Sequence, residues 1–146
     1  MNHPDLTHDV LRGREVKVKC KNIYNQHTKE FEDTSPWLTI GKEYIVLEVE
    51  VSSLEKTFYR LVGDNDNKMP ALYKSSQFEI VDGGIPKNWE VSQLSDGSLI
   101  LCPKAWQAPG FWEDCYDHDL KALEIYKREA RIIYETQQIH ELKEKG

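Results

Sequence analysis

Between Leu120 and Leu142 the chain runs for 23 residues without a proline or a glycine. A stretch of that length with apolar residues every three to four positions has one regular solution, an α-helix. Asp117 or Asp119 stands where an N-cap is needed and sets a carboxylate at the positive end of the helix dipole. Turned through about 100° per residue, Leu123, Tyr126, Ala130, Ile133 and Tyr134 fall on one face beside Leu120, and that face reads as core. Ile125, Ile132 and Ile139 recur every seven residues on a different face. A helix lying on one sheet needs one apolar stripe, so the second needs a cover of its own. Either the helix is wedged between two parts of its own chain, or the isoleucines form a seam for a partner or for a second copy in a homodimer. Each buried Ile contributes about 1.5–3 kcal/mol, so three left in water would forgo several kcal/mol.

Upstream of the helix the periodicity changes to two. Glu15-Val16-Lys17-Val18-Lys19-Cys20 alternates polar and apolar as a half-buried strand does. Residues 21–36 are polar, end in Thr-Ser-Pro and read as a loop. Gly41 provides a turn before a long alternating stretch to Val51, in which Val49 and Val51 face away from Glu48 and Glu50. Thr57 to Val62 forms the next strand, and Gly63-Asp64-Asn65-Asp66-Asn67 closes a hairpin because Asn and Asp tolerate positive φ. Met69–Tyr73 and Phe78–Val81 follow as short strands. These strings, Leu-Thr-Ile-Gly-Lys-Glu-Tyr-Ile-Val-Leu, Tyr-Arg-Leu-Val and Phe-Glu-Ile-Val around an Asp/Asn turn, resemble the SH3-like small barrels of short bacterial and phage proteins over residues 15–82. The resemblance implies a five-strand barrel and leaves function open.

Asp82-Gly83-Gly84-Ile85-Pro86 interrupts any regular element and marks a boundary between lobes. Beyond it, Trp89–Leu94 and Ser98–Cys102 flank Ser95-Asp96-Gly97, and Asp-Gly between apolar runs is a strong hairpin signal. Pro109-Gly110-Phe111-Trp112 then turns the chain into the helix, pinned by its aromatic residues. The expected architecture is an α+β fold in one domain of residues 1–146. Its first lobe, 10–82, is a small, bent, antiparallel SH3-like barrel; its second, 85–146, is a β-hairpin plus one long C-terminal helix.

At 146 residues one core can be buried, and four Trp, seven Tyr and four Phe supply it. No apolar run nears the roughly 18 residues of a membrane helix, and the polar N-terminus has no signal-like core, so a cytoplasmic protein without a membrane partner is expected. Cys20, Cys102 and Cys115 are far apart and odd in number, which fits free thiols and no thiolate metal site. His3, His8, His27, His118 and His140 show no ligand spacing, and neither a phosphate loop nor a nucleophile motif occurs. Asp64–Asn67 lacks the glycine and the closing glutamate of a calcium loop, position 12 being Ser75. Glu113, Asp114, Asp117 and Asp119 cluster beside aromatic residues, where capping and solvation explain them better than acid–base work. No catalytic residue, metal or cofactor is expected.

The net charge of -6 is concentrated in residues 30–66, which carry nine Asp/Glu against three Lys/Arg. That field disfavours a phosphate backbone, despite Lys17, Lys19 and Lys21 along one strand, and favours a basic protein. The strings Ile-Pro-Lys-Asn-Trp-Glu-Val, Asp-Gly-Ser-Leu-Ile-Leu-Cys-Pro and Trp-Gln-Ala-Pro-Gly-Phe-Trp-Glu-Asp-Cys-Tyr-Asp-His-Asp-Leu-Lys-Ala resemble small bacterial immunity-type proteins of toxin–immunity pairs. The resemblance spans residues 85–122 and implies a noncatalytic inhibitor that neutralises a basic, nuclease-like toxin domain by direct binding. Glu48, Glu50, Glu55, Asp64 and Asp66 are the expected contact surface. The alternative is a phage or mobile-element SH3-like interaction module, dimerising through Ile125, Ile132 and Ile139.

Overall fold

The computed structural model describes residues 15–54, 56–65 and 67–145, with side chains described as far as Glu135. Among the described residues, nine strands and two helices follow in chain order: β1 (Val16–Cys20), β2 (Ile23–Asn25), β3 (Glu30–Glu32), β4 (Glu43–Val51), β5 (Thr57–Val62), β6 (Pro70–Lys74), β7 (Phe78–Gly83), β8 (Trp89–Gln93), β9 (Leu99–Pro103), α1 (Phe111–Tyr116) and α2 (Leu120–Lys145). Short 3-10 turns at Ser75–Gln77 and Lys104–Gln107 precede β7 and α1. The fold is α+β with an antiparallel sheet and a C-terminal helix, and no helix among the described residues is long and apolar enough to cross a membrane.

Seven strands form the main sheet in the path β6-β5-β4-β1-β7, with β9 on β4 and β8 on β9. β6 and β7 end the path without pairing, so the ring of a closed barrel is not completed. The nine-residue β4 holds both lobes together. One of its edges pairs with β5; the other is shared, Glu43–Val46 pairing with β1 and Val49–Val51 with β9. The hairpin after Gly84 therefore extends the sheet of the first lobe. Residues 21–36, expected as loop, contain a two-stranded hairpin, β2-β3, closed by Asn25 Oδ1 accepting from the His27 and Thr28 amides and by Lys29 at φ 60°. All three residues of β3 are exposed, so no buried face imprints a period on its sequence.

Two apolar clusters lie on the two faces of β4. Val16, Val18, Cys20, Ile23, Leu38, Tyr44, Val46, Leu61 and Phe78 form one; Leu47, Cys102, Trp106, Phe111, Cys115, Ala122, Tyr126, Ala130 and Ile133 form the other, under the helices. A β-bulge exchanges the faces midway: Val46 pairs with Leu61 and Glu48 with Arg60, so β4 uses two residues where β5 uses one. Tyr44 and Val46 point into the first cluster, Ile45 and Leu47 into the second, and after the bulge Val49 packs on the first. Strict alternation would have put Glu48 and Glu50 into the first cluster. The bulge turns both toward the helices.

All three thiols are free and buried, Cys20 in the first cluster and Cys102 and Cys115 in the second. Burial pushes each thiol pKa up, that of Cys115 to about 11 with Asp114 and Asp119 adding to the effect. At the end of β5, Gly63 passes close under the Trp37 backbone, where a Cβ would lie 2.5 Å from the Trp37 carbonyl oxygen and 2.8 Å from the Tyr73 hydroxyl. Gly63→Ala is expected to lower stability by about 1–3 kcal/mol, because the carbonyl is held by the Asp64 amide and cannot yield freely. Urea unfolding measures it, and a loss below about 0.5 kcal/mol would show that this crossing is loose.

Candidate functional site

The C-terminal helix starts as its sequence requires. Asp119 Oδ2 accepts from the Ala122 amide at 2.9 Å, so Asp119 rather than Asp117 is the cap. Ala122, Tyr126, Ala130 and Ile133 are buried, with Leu123 and Tyr134 packed beside them; Leu120, assigned to the same stripe, is 83% exposed. The helix begins there, before it reaches the sheet. Ile125 packs against the same cluster and Ile132 is half-buried, while Ile139 lies outside the described side chains. The loop ahead of β8 reaches this flank, Asn88 Nδ2 donating to the Glu129 carbonyl at 3.1 Å. For Ile125, therefore, the cover comes from its own chain.

Before α2 the lead-in that the sequence suggested as a pinned turn is a further short helix, α1. Gly110 at φ 76° opens it, a conformation glycine adopts without a Cβ penalty. α1 carries Trp112 and Tyr116 down onto the strands that hold Glu48, Glu50 and Arg60. Arg60 Nε donates to Glu48 Oε2 at 3.1 Å and Nη1 to the Tyr116 hydroxyl at 2.7 Å, and Nη2 lies 3.5 Å from Glu50 Oε2. Its guanidinium carbon sits 4.2 Å from the centre of the Trp112 ring. Trp112 Nε1 donates to the other Glu48 oxygen at 3.2 Å, and the Tyr116 hydroxyl donates onward to the Pro70 carbonyl at 2.7 Å. Glu48 is 2% exposed and Arg60 7%. The ion pair is thus buried, each of its nitrogen and oxygen atoms having at least one hydrogen-bond partner, and a guanidinium fork satisfies such a geometry where an ammonium would not.

Above this pair opens a pocket of about 240 Å³, lined by Glu48, Glu50, Arg60, Trp106, Trp112 and Glu113 among others. Three carboxylates face one guanidinium there, and Glu113 forms no ion pair among the described residues. Burial, and then the neighbouring Glu48 carboxylate, raise the Glu50 pKa against the pull of Arg60. Because the folded-state value is raised above the ordinary 4.5, ionised Glu50 costs the fold stability at higher pH, and the cost fades as pH falls through the folded value. Glu50→Gln is therefore expected to raise the melting midpoint at about pH 7, the gain vanishing near about pH 4. Thermal melts at several pH values measure it; a lower midpoint at neutral pH would mean that the Arg60 contact dominates.

Of the residues expected to form an acidic contact surface, the structure brings Glu48 and Glu50 together but encloses Glu48, which presents no free carboxylate to a surface partner. Glu50 stands at the pocket rim, its side chain 30% exposed. Asp64 belongs to a separate cluster, accepting from Thr39 Oγ1 at 2.7 Å, Lys42 Nζ at 2.6 Å and the Tyr44 hydroxyl at 3.1 Å. Burial opposes its ionisation, but these bonds together hold its pKa below the usual carboxylate value. Glu55 and Asp66 lie outside the described residues. Arg60 and Trp112 were not singled out by the sequence reading, although one signal was present: apolar residues at 44, 46, 49 and 51 slip phase once, which announces the bulge. Among the described residues no group of three or more His, Cys, Asp or Glu is placed to hold a metal ion. No protein-family model, no curated protein and no solved structure matches the chain.

Proposed function

We propose that the chain is a noncatalytic binding protein of the immunity type. It acts in the cytoplasm and neutralises a basic, nuclease-like toxin domain by seating one of its Arg or Lys side chains between Glu50, Glu113 and Trp112. The observation that carries this reading is the charge imbalance of the pocket, three carboxylates around a single guanidinium with an aromatic wall. A second cation entering it relieves the Glu48–Glu50 repulsion and finds an aromatic wall to pack its side chain on. The acidity of residues 30–66 would steer a basic partner toward this side of the sheet. The meander β4-β5-β6, with β1 and β7 adjacent and two bulges bending the strands, supports an SH3-like reading of the first lobe.

Co-expression with the product of the reading frame directly upstream tests the proposal through growth and copurification. Wild type is expected to restore growth and to copurify. Glu50→Gln with Glu113→Gln is expected to weaken the complex at least about tenfold while melting no lower than wild type. Full protection by that double variant would remove the pocket from the interface, and an upstream product that is not toxic would sink the immunity reading itself.

A further inference from the structure

A second hollow, of about 560 Å³, lies between α2 and the turn joining β5 to β6, and the charges lining it are mostly positive in a chain whose net charge is negative. Lys68, Lys127 and Arg131 line it, with Glu135 the only acid among its described lining residues. None of the three cations forms an ion pair among the described residues, in a protein whose net charge is -6. The floor is built by helical spacing. Ala130 lies between Tyr126 and Tyr134, one turn from each; Tyr126 and Ala130 are buried and close the floor, and Tyr134 is half-buried beside them. Lys127 and Arg131 stand one turn apart along the adjacent row. Neither tyrosine hydroxyl has a hydrogen-bond partner among the described residues.

Lys68 completes the hollow from the turn at φ 56°, a left-handed conformation that a lysine adopts at a cost. Asn67 supports it, its Oδ1 accepting from the Met69 amide at 3.0 Å. Cations converging from two elements beside the half-buried Tyr134, over a floor closed by the buried Tyr126 and Ala130, match an anion attached to a small apolar body. The volume lies within the range of about 300–1,000 Å³ usual for small-molecule sites.

We propose that this hollow binds a small organic phosphate of mononucleotide size, its phosphate among Lys68, Lys127 and Arg131 and its ring against Tyr134, above the buried Tyr126 and Ala130. The site shares no residue with the acidic pocket, so the two stand or fall separately. Adenosine 5′-monophosphate is the probe, titrated calorimetrically at low ionic strength against the full chain. Binding with a Kd below about 1 mM is expected, and adenosine alone or inorganic phosphate alone should bind at least about tenfold more weakly. Lys127→Gln with Arg131→Gln should weaken the nucleotide at least about tenfold, and the exposed Lys68→Gln by about threefold or more, keeping the test open if the double variant folds poorly. Amide shift changes should centre on Tyr126, Ala130 and Tyr134. Nucleotide binding no tighter than inorganic phosphate, no binding at about 10 mM, unaltered binding by the variants, or shift changes centred on Trp112 would each overturn the proposal.

Discussion

Arg60→Ala is expected to destabilise the protein by about 3–5 kcal/mol, a large share of the stability of a domain this size. The loss exceeds that of an ordinary surface ion pair because Arg60 cannot leave alone. Its removal strands the Glu48 carboxylate at 2% exposure with only the neutral donors Trp112 Nε1 and the Cys102 thiol among its described side-chain partners, and it takes from Tyr116 the bond that helps fix α1 on the sheet. Urea unfolding followed by tryptophan fluorescence should show a lower midpoint with an unchanged slope. Removing both charges with Glu48→Gln and Arg60→Met should restore part of the loss, since two neutral groups of similar size leave no enclosed charge unpaired. A loss below about 1 kcal/mol for Arg60→Ala would mean that water reaches Glu48 and that the pair is worth no more than an exposed one.

Trp106→Ala should cost a similar amount, about 3–5 kcal/mol, for a different reason. Trp106 is 2% exposed and stands among Phe111, Trp112 and Tyr126, with ring centres 5.3 to 6.5 Å away. Truncation opens a cavity under both helices, and three rigid aromatic neighbours cannot collapse into it. The indole N–H has no acceptor among the described residues, so the contribution is packing. Trp106→Phe is accordingly expected to cost well under half as much as Trp106→Ala, a comparison that equilibrium unfolding can make directly. Equal costs for the two variants would point to a bond through the indole nitrogen.

How much of this was legible beforehand follows from where burial leaves a pattern. β1 and the Asp96-Gly97 hairpin were readable because the first alternates in burial and the second is a turn with few solutions, whereas β5, with Arg60 and Leu61 buried side by side, was readable from its β-branched and aromatic residues alone. The start of α2 was readable for the same reason at Asp119. β2-β3 was not, since Glu30-Phe31-Glu32 is wet on both faces and is held by pairing and by the Tyr24–Phe31 contact at 5.4 Å. α1 was hidden by its length of six residues, too short for a helical period to repeat. Glu48 reads as a solvated acid but is enclosed, while Glu50 stays at the rim: in Glu48-Val49-Glu50 the alternation is visible, yet what lies over the polar face depends on a helix far along the chain. Arg60 illustrates the same limit. A cation inside a strand reads as a solvated position until its carboxylate partner is known to be opposite.

The three buried thiols give the molecule an internal clock for its own opening. A thiol-specific reagent cannot reach Cys20, Cys102 or Cys115 while the clusters around them stay closed, so labelling proceeds only through molecules that have come apart locally. Cys20 reports on one side of the shared strand β4, the other two on the opposite side. If the two faces breathe as one body, all three sulfurs react at a common rate; if the helices can lift while the bent strands stay closed, Cys115 and Cys102 react first. The order of labelling therefore separates a door from a collapse, and it can be read in the wild-type protein without a single substitution.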